Sequence, residues 1–301
     1  MPLIPGVYAA AVTPRREGPE TDLAALFELL DFLCRGGVTG IVLMGSTGEF
    51  PHFALEERSR LVSLAVKRSR VPVLAGVGHS TFDGSLVLAR EAAAAGAAGV
   101  LLMPPYYFRY SQDDIRDFYL RFAERLKGAV PLYLYNIPQF TSPIAPETSV
   151  ELLATGRFAG IKDSTAEWDA FAPLVAARAS LPFSLMVGHD ALFLRGRMAG
   201  ADGTVSGVAS AVPELLVALD RAIAGADTER AQALDCRVHE FLDWLYAMPA
   251  PVAIRQACEL RGIRVGQPAV PPGPETQRKL SDFIAWFPGW LDAVLKESSN
   301  A

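Results

Sequence analysis

Phe158-Ala159-Gly160-Ile161-Lys162-Asp163-Ser164 is a short apolar run with one lysine near its carboxyl end. Runs of this length, bounded by turn residues, read as buried strands. Side chains alternate along an extended chain, so Lys162 and Asp163 face opposite sides. A lysine at a strand end is ordinarily a solvated cap. At the enclosed mouth of a sheet, desolvation instead favours the neutral amine. A neutral amine attacks carbonyl carbon and forms a Schiff base. The sheet that this strand joins decides between the two.

On either side of this run, strand-like and helix-like segments alternate. Strands are expected at 7–12, 40–44, 72–76, 99–103, 131–135, 183–187 and, more weakly, 203–206. Amphipathic helices are expected at 21–35, where Thr21-Asp22 caps and Gly36-Gly37 stops the helix, and at 55–69, 81–95, 111–126, 146–154, 166–179, 191–199 and 213–224. The strands are apolar on both faces, as parallel strands covered by helices must be. Eight such units in roughly 225 residues match a closed (β/α)8 TIM barrel better than an open sheet. No Gly-x-Gly-x-x-Gly follows the first strand, which argues against a Rossmann fold. Residues 1–225 are therefore assigned to the barrel and 226–301 to a C-terminal helical extension. Two or three helices fit that extension, broken at Pro249-Ala250-Pro251 and between Gly266 and Pro274. Its aromatic residues Phe241, Trp244, Tyr246, Trp286, Phe287 and Trp290 read as core.

Composition narrows the function. Half of the 301 residues are hydrophobic and the net charge is −5, with no basic run for nucleic acid or a membrane surface. No apolar stretch approaches the 18 or so residues of a membrane span. The start, Met1-Pro2-Leu3-Ile4-Pro5-Gly6, lacks the pattern of a signal peptide. Cys34, Cys236 and Cys258 are odd in number and widely spaced, which fits reduced thiols and a cytoplasmic location. His52, His79, His189 and His239 share no ligand spacing, so no metal site and no cofactor are expected.

In a barrel of this type the chemistry collects at the carboxyl ends of the strands. Four features fall there. Gly45-Ser46-Thr47-Gly48-Glu49 follows the second strand, and its glycines, hydroxyls and backbone N–H groups suit a carboxylate or phosphate. Strand-to-helix turns commonly use the same residues. Pro104-Pro105-Tyr106-Tyr107-Phe108 follows the fourth strand, and by itself reads equally as an apolar packing loop. Tyr133-Leu134-Tyr135-Asn136-Ile137-Pro138 ends the fifth strand, where a tyrosine hydroxyl can relay protons. Lys162 ends the sixth. Adjacent strands lie about 4.8 Å apart, so Tyr135 and Lys162 can face one substrate. An amine, a neighbouring phenol and an anion-binding loop are what Schiff-base chemistry on a 2-oxo acid requires.

These four motifs, in this order and spacing, resemble the dihydrodipicolinate synthase / N-acetylneuraminate lyase family over the whole chain. The resemblance implies a class I aldolase on a TIM barrel with a helical extension. It implies that Lys162 forms the Schiff base with pyruvate or another 2-oxo acid and that Tyr135 relays protons. It implies that Ser46 and Thr47, beside Gly48, hold the carboxylate and link the relay. Tyr107 matches a tyrosine lent by a neighbouring subunit, and Val205 matches backbone lining the pyruvate side. A homo-oligomer, usually a tetramer of tight dimers, is implied.

The departures concern the second substrate. Synthases in this family carry an arginine two residues after the Tyr-Asn-x-Pro proline to bind the aldehyde's carboxylate, and this chain has Phe140 there. A phenyl ring cannot form a charge-assisted pair. Leu55, Arg58 and Gly84 stand where lysine-inhibited members have His, His and Glu. Sialate lyases carry Asp-Glu after the seventh strand and a serine after the eighth, whereas this chain has Gly188-His189-Asp190-Ala191 and Gly207. The expectation is a class I lyase that cleaves, reversibly, a 2-keto-3-deoxy sugar acid or similar hydroxy-oxo acid, with Phe140 and His189 bordering the aldehyde pocket. The alternatives are dihydrodipicolinate synthase with an unusual carboxylate site, a Schiff-base sugar-acid dehydratase, a 2-oxo-acid-binding protein without turnover, and a phosphate-binding barrel enzyme using the Ser46 loop.

Overall fold

The eight expected strands are present, each four or five residues long: β1 (Gly6–Ala10), β2 (Gly40–Leu43), β3 (Val73–Gly76), β4 (Gly99–Leu102), β5 (Leu132–Asn136), β6 (Gly160–Asp163), β7 (Ser184–Val187) and β8 (Gly203–Ser206). This computed structural model describes residues 3–16 and 20–299. The termini weighed above for a leader and for the helical extension, 1–2 and 300–301, lie outside the described residues. All neighbouring strands pair in parallel, in sequence order, and β1 meets β8 to close a TIM barrel. Closure brings Gly6 against Gly203, and a β-carbon on Gly203 would lie 1.9 Å from the Gly6 carbonyl oxygen. Only glycine fits there.

Helices α1 (Leu23–Arg35), α2 (Leu55–Arg68), α3 (Phe82–Ala95), α4 (Gln112–Leu126), α5 (Pro146–Ala154), α6 (Trp168–Ala177), α7 (Phe193–Met198) and α8 (Pro213–Ala224) follow the strands in turn. Their starts carry caps readable in the sequence. Asp22 accepts from the Ala25 N–H, and Thr81 from Gly84. Ser111 and Asp114 form a reciprocal capping box, and Pro146 and Pro213 take the first turns of α5 and α8. The seventh unit departs from expectation. A 3-10 turn, Asp190–Leu192, precedes a shorter α7. This turn carries Asp190 onto the mouth of the barrel.

Three helices complete the chain: α9 (Thr228–Ala247), α10 (Val252–Leu260) and α11 (Pro274–Ser299). Phe241, Phe283, Phe287 and Trp290 are buried between them. Tyr246 does not belong to that core, contrary to the sequence reading. It is 61% exposed and reaches toward β7 instead. No helix among the described residues is long and apolar enough to cross a membrane.

Candidate active site

Strand register sets the centre. Tyr135 pairs with Lys162 and Asn136 with Asp163 across β5 and β6. Alternation then puts the amine and the phenol on one face and the amide and the carboxyl on the other. Lys162 and Tyr135 are both buried. Lys162 Nζ donates to the Tyr135 hydroxyl at 3.3 Å and lies 4.3 Å from the centre of its ring. The Tyr135 hydroxyl also shares a hydrogen bond with Ser46 Oγ at 3.1 Å. Three polar side chains from β5, β6 and the loop after β2 thus form one line inside the mouth. Gly188, after β7, makes the floor. A β-carbon there would lie 2.9 Å from Lys162 Cε and 2.3 Å from Ser164 Oγ.

Asp163 is occupied elsewhere. Its Oδ2 accepts from Asn136 Nδ2 at 2.7 Å and its Oδ1 from the Thr165 N–H at 2.8 Å. The Asn136 side-chain Oδ1 accepts in turn from the Ile144 N–H at 3.0 Å. Burial raises the Asp163 carboxyl to about 6, although the two donors pull it down. The pair ties β5 and β6 together behind the amine.

The loop after β2 bends tightly. Gly48 is hemmed in, since a β-carbon would lie 3.2 Å from both the Ala11 carbonyl oxygen and the Met44 nitrogen. It is the Ser46 hydroxyl, not that of Thr47, that meets Tyr135. The Thr47 hydroxyl has no hydrogen-bond partner among the described residues and lies 3.5 Å from where a β-carbon on Gly207 would stand. Val205 is buried in β8.

Asp190 stands on the opposite side of the mouth. Burial raises its carboxyl above the usual range, against the pull of the Ser206 hydroxyl and the Lys162 amine. Neither Asp190 Oδ1 nor His189 Nδ1 has a partner among the described residues. The His189 ring stacks on Tyr246 from α9, with centroids 5.9 Å apart and Nε2 at 3.4 Å from the Tyr246 hydroxyl. Burial lowers the His189 pKa, which favours the neutral ring. Sequence reasoning placed His189 here but missed Tyr246, which lies a domain away and looked like core.

Outward from Ser46 opens a cavity of about 560 Å³, walled by Phe50, Met103, Tyr106, Phe140 and Val270 among others. Phe140 is 56% exposed on this wall, so no cation stands at the synthase arginine's position. Tyr107 does not line the mouth of its own chain. It is 89% exposed, with φ 82°, and packs edge-on against Phe108. Arg58 lies beneath Phe50 and donates to the carbonyls of Gly78 and Gly76 at 2.8 and 2.9 Å. Burial lowers its pKa to about 10. Nor is there room for a side chain at Gly84, where a β-carbon would lie 2.2 Å from His79 Nδ1.

A model of the Dihydrodipicolinate synthetase family matches residues 4–285. The chain belongs to that family. Its relatives in the family include the 4-hydroxy-tetrahydrodipicolinate synthase of Desulfotalea psychrophila, 30% identical over 92% of this chain and 94% of that protein. The enzyme of the same name from Thiobacillus denitrificans is 32% identical over 89% and 88%. Among solved structures, the 4-hydroxy-tetrahydrodipicolinate synthase of Methylacidiphilum fumariolicum superposes with a TM-score of 0.87 at 30% identity, covering 98% of this chain and 99% of that one. As a member of the dihydrodipicolinate synthetase family the protein is a lyase of the class I, Schiff-base aldolase type. The Lys162–Tyr135–Ser46 line, its amine and phenol buried and its serine half-buried, sets an amine, a phenol and a hydroxyl in hydrogen-bond contact.

Proposed function

We propose that the protein joins pyruvate, or another 2-oxo acid, to an aldehyde through a Schiff base on Lys162, or runs the same reaction backwards. The observation that carries this is the hydroxyl of Tyr135, held between Lys162 and Ser46. Lys162 Nζ adds to the C2 carbonyl, and Tyr135 passes a proton to the new alkoxide. The carbinolamine then loses water to give the imine. The protonated imine draws electrons from C3, which loses a proton and becomes the enamine. The enamine attacks the aldehyde carbon, and water later releases the product from Lys162. In the cleavage direction the C3–C4 bond breaks into the same enamine and frees the aldehyde. The hydroxyls of Ser46 and Thr47 and the backbone at Gly48 receive the substrate carboxylate. Gly188 and the β8 backbone at Val205 border the methyl side. Tyr107 serves the site of a neighbouring subunit in a homo-oligomer, a reading supported by its exposure. Residues 1–225 form the catalytic barrel and 226–301 its extension. The three unpaired cysteines support a cytoplasmic setting.

Two readings of the aldehyde compete. Kinship favours aspartate semialdehyde, since the relatives described above are synthases. These names favour the synthase reaction over the sugar-acid cleavage read from the sequence. One observation favours an uncharged aldehyde, as in a 2-keto-3-deoxy sugar acid: Phe140 leaves the carboxylate of aspartate semialdehyde without its cation. His189, Asp190 and Tyr246 offer hydrogen bonds to hydroxyl groups instead. A direct comparison decides. Pyruvate consumption with aspartate semialdehyde is measured beside pyruvate release from a panel of 2-keto-3-deoxy acids. Turnover of the semialdehyde alone establishes the synthase, and turnover of a panel member alone establishes the lyase. Loss of water without pyruvate release would point to the dehydratase.

A further inference from the structure

Glu49 ends the loop that carries Ser46, and it holds a left-handed backbone, φ 53°. A residue with a β-carbon is strained there, so contacts outside the loop must fix it. They come from helix α10 and from the segment between α10 and α11. Arg255 on α10, 206 residues further on, donates from Nη1 to Glu49 Oε2 at 2.8 Å. Glu49 Oε1 accepts from the Ala269 N–H at 3.0 Å. The two side chains are only 2% and 8% exposed. Removing either partner of such a pair strands a buried charge.

The same guanidinium reaches three parts of the chain. Nη1 also donates to the Thr13 carbonyl at 2.9 Å, just past β1. Nη2 donates to the Gly266 and Gln267 carbonyls at 3.0 Å each, and to that of Val265. Thr13 returns a bond from its hydroxyl to the Gly48 carbonyl at 2.8 Å. Inside the loop, the Glu49 N–H donates to the Ser46 carbonyl at 3.0 Å. Ser46 is the residue whose hydroxyl meets Tyr135. An unbroken set of bonds therefore runs from the C-terminal segment through Arg255, Glu49 and Ser46 to Tyr135 and Lys162.

We propose that Glu49 and Arg255 are positioning residues for the Ser46–Tyr135 relay, fixing the turn that sets where the Ser46 hydroxyl stands. Proton transfer beside Lys162 is thereby coupled to the docking of the C-terminal helices on the barrel. The inference rests on the Schiff-base reading above, and pyruvate alone tests both. Enamine formation exchanges the pyruvate methyl protons for deuterium in D2O, which NMR follows, and borohydride traps the adduct. Glu49→Gln keeps the shape and removes the charge. It should slow exchange about tenfold or more, the scale of a small misplacement of a catalytic group. The pyruvate concentration for half-maximal trapping should rise by less than that factor, because Thr47 still offers its hydroxyl to the carboxylate and Lys162 is untouched.

Arg255→Lys should retain more of the exchange rate than Arg255→Met. The decisive comparison is made in a Ser46→Ala background. If Glu49 acts through Ser46, Glu49→Gln should there cost less than about twofold. The same factor in both backgrounds would overturn the proposal, as would a full exchange rate in Glu49→Gln whatever its melting temperature. Should Arg255→Met fail to fold, Glu49→Gln and the Ser46→Ala pair still decide. Wild-type protein that neither exchanges pyruvate protons nor forms an adduct would remove the Schiff-base reading itself. Wild-type exchange with unaffected variants would remove only the positioning role.

Discussion

Replacing Tyr135 by phenylalanine removes one oxygen and leaves the ring. The ring, 4.3 Å from Lys162 Nζ, still packs beside the amine. What goes is the acceptor for Lys162 at 3.3 Å and the partner of Ser46 at 3.1 Å. One buried and one half-buried hydrogen bond contribute about 1–3 kcal/mol to stability, so the variant should fold and melt only a few degrees lower. The catalytic loss should be larger. Without a positioned acid–base group, carbinolamine dehydration and the steps at C3 and C4 should slow by about 10²-fold or more, equivalent to roughly 3 kcal/mol of barrier. The assay is the initial rate on whichever substrate the comparison above identifies, together with the time course of borohydride trapping with pyruvate. The trapped adduct should form more slowly yet reach a similar end point, because the amine remains. A rate within about threefold of wild type would refute the relay, because a general acid–base group is worth far more than that.

Three further outcomes are expected. Gly188→Ala puts a β-carbon 2.9 Å from Lys162 Cε; adduct formation should slow about tenfold or more, and an unchanged trapping rate would show that the amine does not rest on this floor. Phe140→Arg restores a cation to the cavity wall and should raise kcat/KM for aspartate semialdehyde relative to neutral 2-keto-3-deoxy acids by about tenfold or more, as charge-assisted hydrogen bonds allow; an unmoved ratio would take Phe140 out of the aldehyde site. Asp163 has its pKa raised from 3.8 to about 6 by burial. The folded state then binds this proton more tightly than the unfolded one, so the carboxyl's contribution is most favourable below pH 4 and declines up to about pH 6, by of order 3 kcal/mol. Urea unfolding of wild type against Asp163→Asn should show that difference changing between pH 4 and 6 and level above; a constant difference would contradict the assignment.

Much of the barrel was legible because each parallel strand is buried on both faces and leaves a short apolar run, as at Gly99–Leu102. β8 was faint because Thr204 and Ser206 lie inside it. The Thr204 hydroxyl donates to the Val187 carbonyl at 2.9 Å and Ser206 Oγ accepts from the Ala209 N–H at 3.0 Å, bonds that hydrophobicity does not reveal. Lys162 and Tyr135 could be paired in advance because consecutive strands are neighbours and side chains alternate. The same alternation turned Asp163 toward Asn136. Contacts between barrel and extension were not legible. Periodicity marks a buried face but not the group it meets, so neither Arg255 on Glu49 nor Tyr246 on His189 followed from spacing. An arginine amid the apolar residues of Val252-Ala253-Ile254 and a glutamate closing a glycine loop were the available signs. Which hydroxyl of Ser46-Thr47 meets the phenol depends on the bend of the loop, which composition does not specify.

The most direct measurement is reduction with borohydride in the presence of pyruvate, followed by peptide mass mapping. The account predicts one reduced pyruvate adduct, on the peptide containing Lys162, absent from Lys162→Ala. No adduct, or an adduct on another lysine that persists in Lys162→Ala, would contradict it.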